Sequence, residues 1–130
     1  MRKLSITAFD DFVVGTTDVY TRAEFNTQLA LYGKIAFQAV VDQVTGTGTL
    51  TLAVRIEHSG DNRNFQNKSS GSSGELLIDP LSTTNTTVGF GYDTEATIVP
   101  LLSFARLKLT LGGTTPEAHV KIHVTARGKS

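Results

Sequence analysis

The chain has 130 residues and no cysteine, is 39% hydrophobic and 18% charged, and balances twelve basic side chains against twelve acidic ones. That length predicts one domain, residues 1–130, long enough to bury a core without staples. The missing cysteines exclude a disulfide framework and a thiolate metal site, and a net charge of zero argues against general nucleic-acid binding, which needs a basic surface excess.

The N-terminus, Met1-Arg2-Lys3-Leu4-Ser5-Ile6-Thr7-Ala8-Phe9-Asp10, carries two cations after Met as a signal peptide would. Ser5 and Thr7 break the apolar stretch that should follow and Asp10 and Asp11 stop it, so the expectation is folding in the cytoplasm where the chain is made. Weak strands are predicted at Ser5–Val14 and around Val19–Tyr20, and Gln28–Leu31 reads as a prolongation of the next strand across Gly33. Then come two segments of strict period two: Ile35, Phe37, Ala39, Val41, and after them Leu50, Leu52, Val54, Ile56. Successive strand side chains point to opposite faces, so each segment has one dry face and one wet face. Thr45-Gly46-Thr47-Gly48 between them predicts a hairpin, Ile35–Glu57.

His58–Gly74 is the longest loop, and its end, Ser69-Ser70-Gly71-Ser72-Ser73-Gly74, is of low complexity. Further weak strands are expected at Glu75–Ile78, Thr86–Phe90 and Thr97–Val99. A second strong pair closes the chain: Ala105, Leu107, Leu109, Leu111, then Ala118, Val120, Ile122, Val124, Ala126. Gly112-Gly113-Thr114-Thr115-Pro116 predicts the turn of that hairpin, Ala105–Arg127. Seven or eight short alternating strands define an all-β class: an antiparallel two-sheet β-sandwich of jelly-roll type. Phe37, Leu52, Val54, Ile56, Leu107, Leu109, Val120, Ile122 and Val124 should supply most of its core.

Reactive constellations are hard to assemble from these residues. His119 and His123 share one wet strand face but stand roughly 13 Å apart at ~3.3 Å per residue, too far to bind one metal ion, and read as exposed strand residues. Asp10 and Asp11 are adjacent, point to opposite faces, and read as the border of the first strand. Asp61, Asn62 and Asn64 make an oxygen-rich turn without the spacing of a calcium loop. No glycine loop is followed by Lys-Ser or Lys-Thr, and no serine sits in a nucleophile elbow. The expectation is a non-enzyme without metal or cofactor.

That moves function to surfaces, loops and termini. Tyr20, Tyr32, Phe65, Phe90 and Tyr92 are the aromatics that could stack on sugars, and the Phe90–Tyr92 stretch, in its Gly-rich setting, could form a rim or a subunit contact. Arg2, Lys3, Arg127 and Lys129 make both ends basic, and Met1–Ser5 and Arg127–Ser130 read as exposed arms suited to an acidic partner surface. The candidate contact set is therefore Arg2, Lys3, Phe65, Phe90, Tyr92, Arg127 and Lys129. Near-zero net charge removes the self-repulsion that keeps copies apart, a mild pointer to homo-oligomers.

Leu52-Ala53-Val54-Arg55-Ile56-Glu57-His58-Ser59-Gly60-Asp61, followed by Asn64-Phe65, resembles the strand, Ser-Gly-Asp turn and aromatic of galactose-binding-like (discoidin-type) jelly rolls. Phe104–Leu111 and Ala118–Thr125 are similar to their closing strand pair. The chain also resembles small β-sandwich proteins of tailed-phage virions that decorate or cement a capsid or belong to its tail, which are cysteine-free and rich in Thr, Gly and Ala. That resemblance implies a structural virion protein of a bacteriophage, a capsid decoration or accessory component binding a protein lattice and itself, with no nucleic acid and no membrane. The jelly-roll resemblance implies the alternative, a carbohydrate-binding module, although the loop Trp, Arg and Asp ligands of the sugar-binding members have no clear counterpart here. A zinc- or calcium-dependent enzyme ranks last.

Overall fold

The computed structural model describes residues 3–30, 34–67, 75–93 and 101–127. Two long strands organise it: β3, Lys34–Ser59, and β7, Phe104–Arg127. They pair antiparallel from Ser59↔Phe104 to Lys34↔Arg127, with register shifts between Asp42 and Thr51. The shifts divide the ladder into two arms. In the first, β1 (Lys3–Val14) pairs with the C-terminal half of β7, and β6 (Thr87–Asp93) pairs with the N-terminal half of β3. In the second, β2 (Val19–Tyr20) pairs with the N-terminal half of β7, while β4 (Gln66–Asn67) and β5 (Glu75–Ile78) pair with the C-terminal half of β3.

The seven strands among the described residues are therefore hydrogen-bonded into one antiparallel sheet, which curls so that its two arms face each other as a β-sandwich. The face-to-face packing is visible at Gly89 of β6, where an added Cβ would stand 3.0 Å from the Leu76 side chain and 3.1 Å from that of Ile78, both on β5 of the opposite arm. The class is as the sequence predicts. The two hairpins are not. Thr45-Gly46-Thr47-Gly48 and Gly112-Gly113-Thr114-Thr115-Pro116 are corners inside β3 and β7, and the strands on either side of each corner pair with the other long strand.

The reason lies in the backbone at those corners. Gly46 (φ 134°) and Gly113 (φ 119°) take left-handed conformations that only glycine adopts without strain. A Cβ at either would stand 2.8 or 2.6 Å from Leu50 Cδ2, so one buried leucine plugs both corners. Burial follows odd positions from Ile35 to Val41 and even positions from Leu50 to Ile56; in β7 it switches likewise between Leu111 and Ala118. Each corner thus shifts the alternation by one residue and keeps the dry face inward through the bend.

The nine expected core residues are all buried, within one cluster that also takes Ala8, Phe9, Val13, Leu29 and Leu81. A fully buried Leu, Ile, Val or Phe contributes about 1.5–3 kcal/mol relative to exposure, so this cluster is the main stabilising term.

Gln28–Leu31 does not prolong β3: residues Asn26–Ala30 form a short helix, α1, after a 3-10 turn at Ala23–Phe25, and Leu31 lies outside the described residues. α1 buries Leu29 and Asn26. The strand predicted at Thr86–Phe90 runs from Thr87 to Asp93, and the one at Thr97–Val99 falls outside the described residues. Asp10 and Asp11 do not border β1 but lie inside it, which continues to Val14. Nor is the N-terminus an arm up to Ser5, since Lys3, Leu4 and Ser5 already pair with Arg127, Ala126 and Thr125.

Candidate functional site

The strand β6 reverses the ordinary polarity of a surface strand. Thr87-Val88-Gly89-Phe90-Gly91-Tyr92-Asp93 alternates, but its inward residues are glycines and its outward ones are large and apolar. Val88 is 48% exposed, Phe90 67% and Tyr92 58%. The inward glycines have a packing cause: a Cβ at Gly91 would collide with the ring of Phe37, its partner on β3. The outward residues have no such cause. Across the ladder they stand beside Val40, Gln38 and Ala36, so the ridge continues onto an uncharged stretch of β3. Among the described residues β6 pairs only with β3, leaving its other edge without a strand partner.

The other predicted contact residues are scattered. Phe65 is half-buried, and the Arg106 guanidinium lies 3.8 Å from its ring centroid and 3.7 Å from that of Tyr20. Both rings thus give a face to one arginine, the geometry of a cation–π sandwich. Arg106 Nε also donates to Glu57 Oε1 at 2.9 Å, and Lys108 Nζ stands 3.4 Å from Glu57 Oε2. Glu57 is only 6% exposed and needs both cations, because a buried carboxylate without partners is costly. Phe65 is therefore a clamp on β7 in this arrangement. Lys3 and Arg127 face each other at the ends of β1 and β7, both exposed, with Lys34 on the far side of Arg127. Arg2, Lys129 and Tyr32 lie outside the described residues.

The oxygen-rich turn closes on itself. Asp61 Oδ1 accepts from the N–H groups of Asn64 (2.9 Å) and Arg63 (3.0 Å) and from the Ser59 hydroxyl (2.8 Å), and Oδ2 accepts from the Asn64 amide at 2.7 Å. The backbone N–H groups, Asn64 first, hold this carboxyl well below the usual carboxylate range. Its lone pairs are spent on a turn. Beside it, Asn26 Nδ2 donates to Asn62 Oδ1 at 3.1 Å, while Asn26 Oδ1 is buried with no partner among the described residues. No group of three or more His, Asp and Glu among the described residues is placed to hold a metal ion.

The two histidines on the wet face of β7 are more engaged than exposed strand residues would be. His123 Nε2 lies 2.8 Å from Ser5 Oγ and its Nδ1 3.4 Å from Thr7 Oγ1. His119 sits between two carboxylates, Nε2 at 2.7 Å from Asp10 Oδ1 and Nδ1 at 2.9 Å from Asp42 Oδ1. These hydrogen bonds, Asp10's first, raise the His119 pKa above its ordinary value. Sequence spacing could not have found this, since the carboxylates come from β1 and β3.

A shallow groove of about 480 Å³ runs along one open side of the sandwich, lined by Thr7, Phe9, Asp10 and Asp11 of β1, Tyr20 of β2, and Arg22. Its β1 wall carries the bulge between Thr7 and Phe9. The Arg22 N–H, just after β2, reaches Ala8 O of β1 at 3.4 Å.

No protein-family model and no curated protein matches the sequence. Solved structures give a likeness of fold. A Clostridium thermocellum endo-1,4-β-D-xylanase 10B structure of CBM22-1 and GH10 modules, complexed with xylohexaose, aligns over 98% of this chain at 11% identity and a TM-score of 0.52. This chain spans about a quarter of that protein's length (26%). A disulfide-linked pilus of Bacillus endospore appendages aligns over 99% of this chain and 93% of its own, at 11% identity and a TM-score of 0.42. The xylanase match supports the β-sandwich class.

Proposed function

We propose that this protein is a non-enzymatic structural component that docks on a protein lattice through the β6 face, as a capsid decoration or accessory protein of a tailed-phage virion. One observation carries the reading: β6 turns glycine inward and Val88, Phe90 and Tyr92 outward. An exposed apolar ridge on a strand edge costs solubility unless a partner covers it. Aromatics anchor protein interfaces because they bury much area with little loss of rotamer freedom. The neutral net charge is compatible with dense packing of many copies. The virion assignment itself rests on the resemblance in sequence style. Co-sedimentation with virion shells from the same source tests it. The wild type should pellet with the shells and Phe90→Lys should stay in solution; a wild type that never pellets overturns the reading.

The groove beside Tyr20 favours a second reading, a carbohydrate-binding module. Tyr20 keeps part of its ring exposed there, next to Asp10, Asp11 and Arg22, which is the mix of stacking surface and charged hydrogen-bonding groups that sugars meet. The xylohexaose in the xylanase structure makes β-1,4-xylo-oligosaccharides the first glycans to test. Binding that disappears in Tyr20→Ala would support this reading. A glycan array without hits would remove it.

A further inference from the structure

We propose that His119 is a pH-sensitive clasp that ties β1 to β3 across β7, adding to the ladder that holds the N-terminal strand, only while its imidazole is doubly protonated. The geometry is specific. Asp10 on β1 meets one ring nitrogen and Asp42 on β3 meets the other, at 2.7 and 2.9 Å. A carboxylate only accepts at neutral pH, so both ring nitrogens must donate. A neutral imidazole has one N–H and serves one carboxylate, whereas the imidazolium has two and serves both. The ring stands in the middle of a β1–β7–β3 row, directly beside Phe12 on β1, whose ring centroid lies 5.3 Å away. Loss of one proton therefore leaves either Asp10 or Asp42 facing a lone pair, and β1 loses either a hydrogen bond to β7 or the charge that held it.

Other charged groups on this face tune the clasp without duplicating it. On β7, Glu117 and Lys121 flank His119 two residues away on either side, Glu117 favouring the cation and Lys121 opposing it. On β1, Asp11 stands on the opposite row, across from Val120, and its carboxylate accepts from the Phe12 N–H at 2.8 Å. On β3, Asp42 is the contributing group. His123, the next histidine along the face, bonds to the hydroxyls of Ser5 and Thr7 and holds β1 without needing a second charge.

The sign follows from the raised pKa of His119. Its contribution is full below the unfolded value of about 6.5 and is lost as pH rises through the higher folded value. The strand affected is a terminal one, joined to the rest through Gly15, and its departure would bare the edge of β7.

Two measurements on the intact chain test the proposal. Long-range 1H–15N spectra at pH 6 should show both His119 ring nitrogens protonated, with a titration midpoint above 6.5. Hydrogen exchange of the β1 amides, normalised to those of Leu52–Ile56 in β3, should lose protection up to about tenfold per pH unit through that midpoint in the wild type. It should stay flat in His119→Gln, which offers one amide donor at every pH. A single neutral tautomer at pH 6, or equal pH profiles for β1 in the two proteins, overturns the clasp. If His119→Gln fails to fold, Asp42→Asn supplies the same comparison, because one ring nitrogen then no longer faces a charge.

Discussion

Among the described residues the first arm of the sandwich has two edges, β1 and β6, and they are built on opposite rules. β1 carries Lys3, Asp10 and Asp11, a bulge between Thr7 and Phe9, and the histidine clasp. Asp11 pairs with Val120, a core residue, so its charge stands on the inward-facing row. Inward charges and bulges are the devices that stop an edge strand from pairing with another chain. From Thr87 to Tyr92, β6 has no charge and no proline; the first charged residue is Asp93, at its end. The difference teaches that the edges were not left to chance. One carries devices that oppose pairing with another chain; the other carries none of them from Thr87 to Tyr92 and presents Val88, Phe90 and Tyr92 to solvent.

The comparison can be broken or sharpened by substitution. The largest effect is expected from Phe37→Ala, which removes the ring packed against Gly91 and should cost about 3–5 kcal/mol in urea unfolding. Hydrogen exchange in that variant should quicken in β6 far more than in β1. Phe90→Lys comes next. Placing a charge on the exposed ridge should weaken association with a partner or a second copy at least tenfold, about 1.4 kcal/mol, with the unfolding midpoint nearly unchanged. Sedimentation velocity and shell binding read this directly, and unchanged association would mean that the ridge is not the contact. Asp42→Asn should cost under about 1 kcal/mol, since the group is partly exposed, and only at low pH. Its deficit should be present near pH 6 and fade as pH rises past the folded pKa of His119, as pH-dependent urea midpoints would show. The smallest change in stability, within about 0.5 kcal/mol, is expected from Asp11→Val. Its value lies elsewhere: if inward charge guards β1, this variant should self-associate in concentration-dependent light scattering while the wild-type edge does not.

Much of this architecture was legible because period-two alternation is local. Residues 35–41, 50–56, 105–111 and 118–126 declare their dry faces without reference to any partner, and Phe90 and Tyr92 stand out as candidate contacts by residue type alone. The hairpins were misread because a hairpin turn and a strand corner ask for the same residues. Gly46 and Gly113 supply positive φ in either case, and what separates the two outcomes is which distant strand completes the hydrogen bonds. The helix at Asn26–Ala30 was hidden by its shortness, with one buried leucine and no periodic stretch. The His119 clasp was invisible for a stronger reason. Asp10 and Asp42 acquire meaning only after β1 and β3 have been laid on either side of β7, so spacing along β7 could show only that His119 and His123 were too far apart to share a metal.

The shared ladder of β3 and β7 has a consequence for how the chain reaches its native state. Neither long strand pairs with itself, so no hairpin within either one can form first; the local pairing β3 offers is with β4, at Glu57↔Asn67 and His58↔Gln66. Within the β3–β7 ladder Ser59 and Phe104 are the closest partners in sequence, and they are already separated by β4, β5 and β6. Forming the long ladder therefore needs an expensive loop closure before it can zip outward through both corners, a topology that goes with slow, millisecond-to-second folding. Leu50, wedged against both corner glycines, is the residue the zipper must pass. A conservative Leu50→Val change should slow refolding if the corners are set in the transition state, and should only speed unfolding if they are set after it.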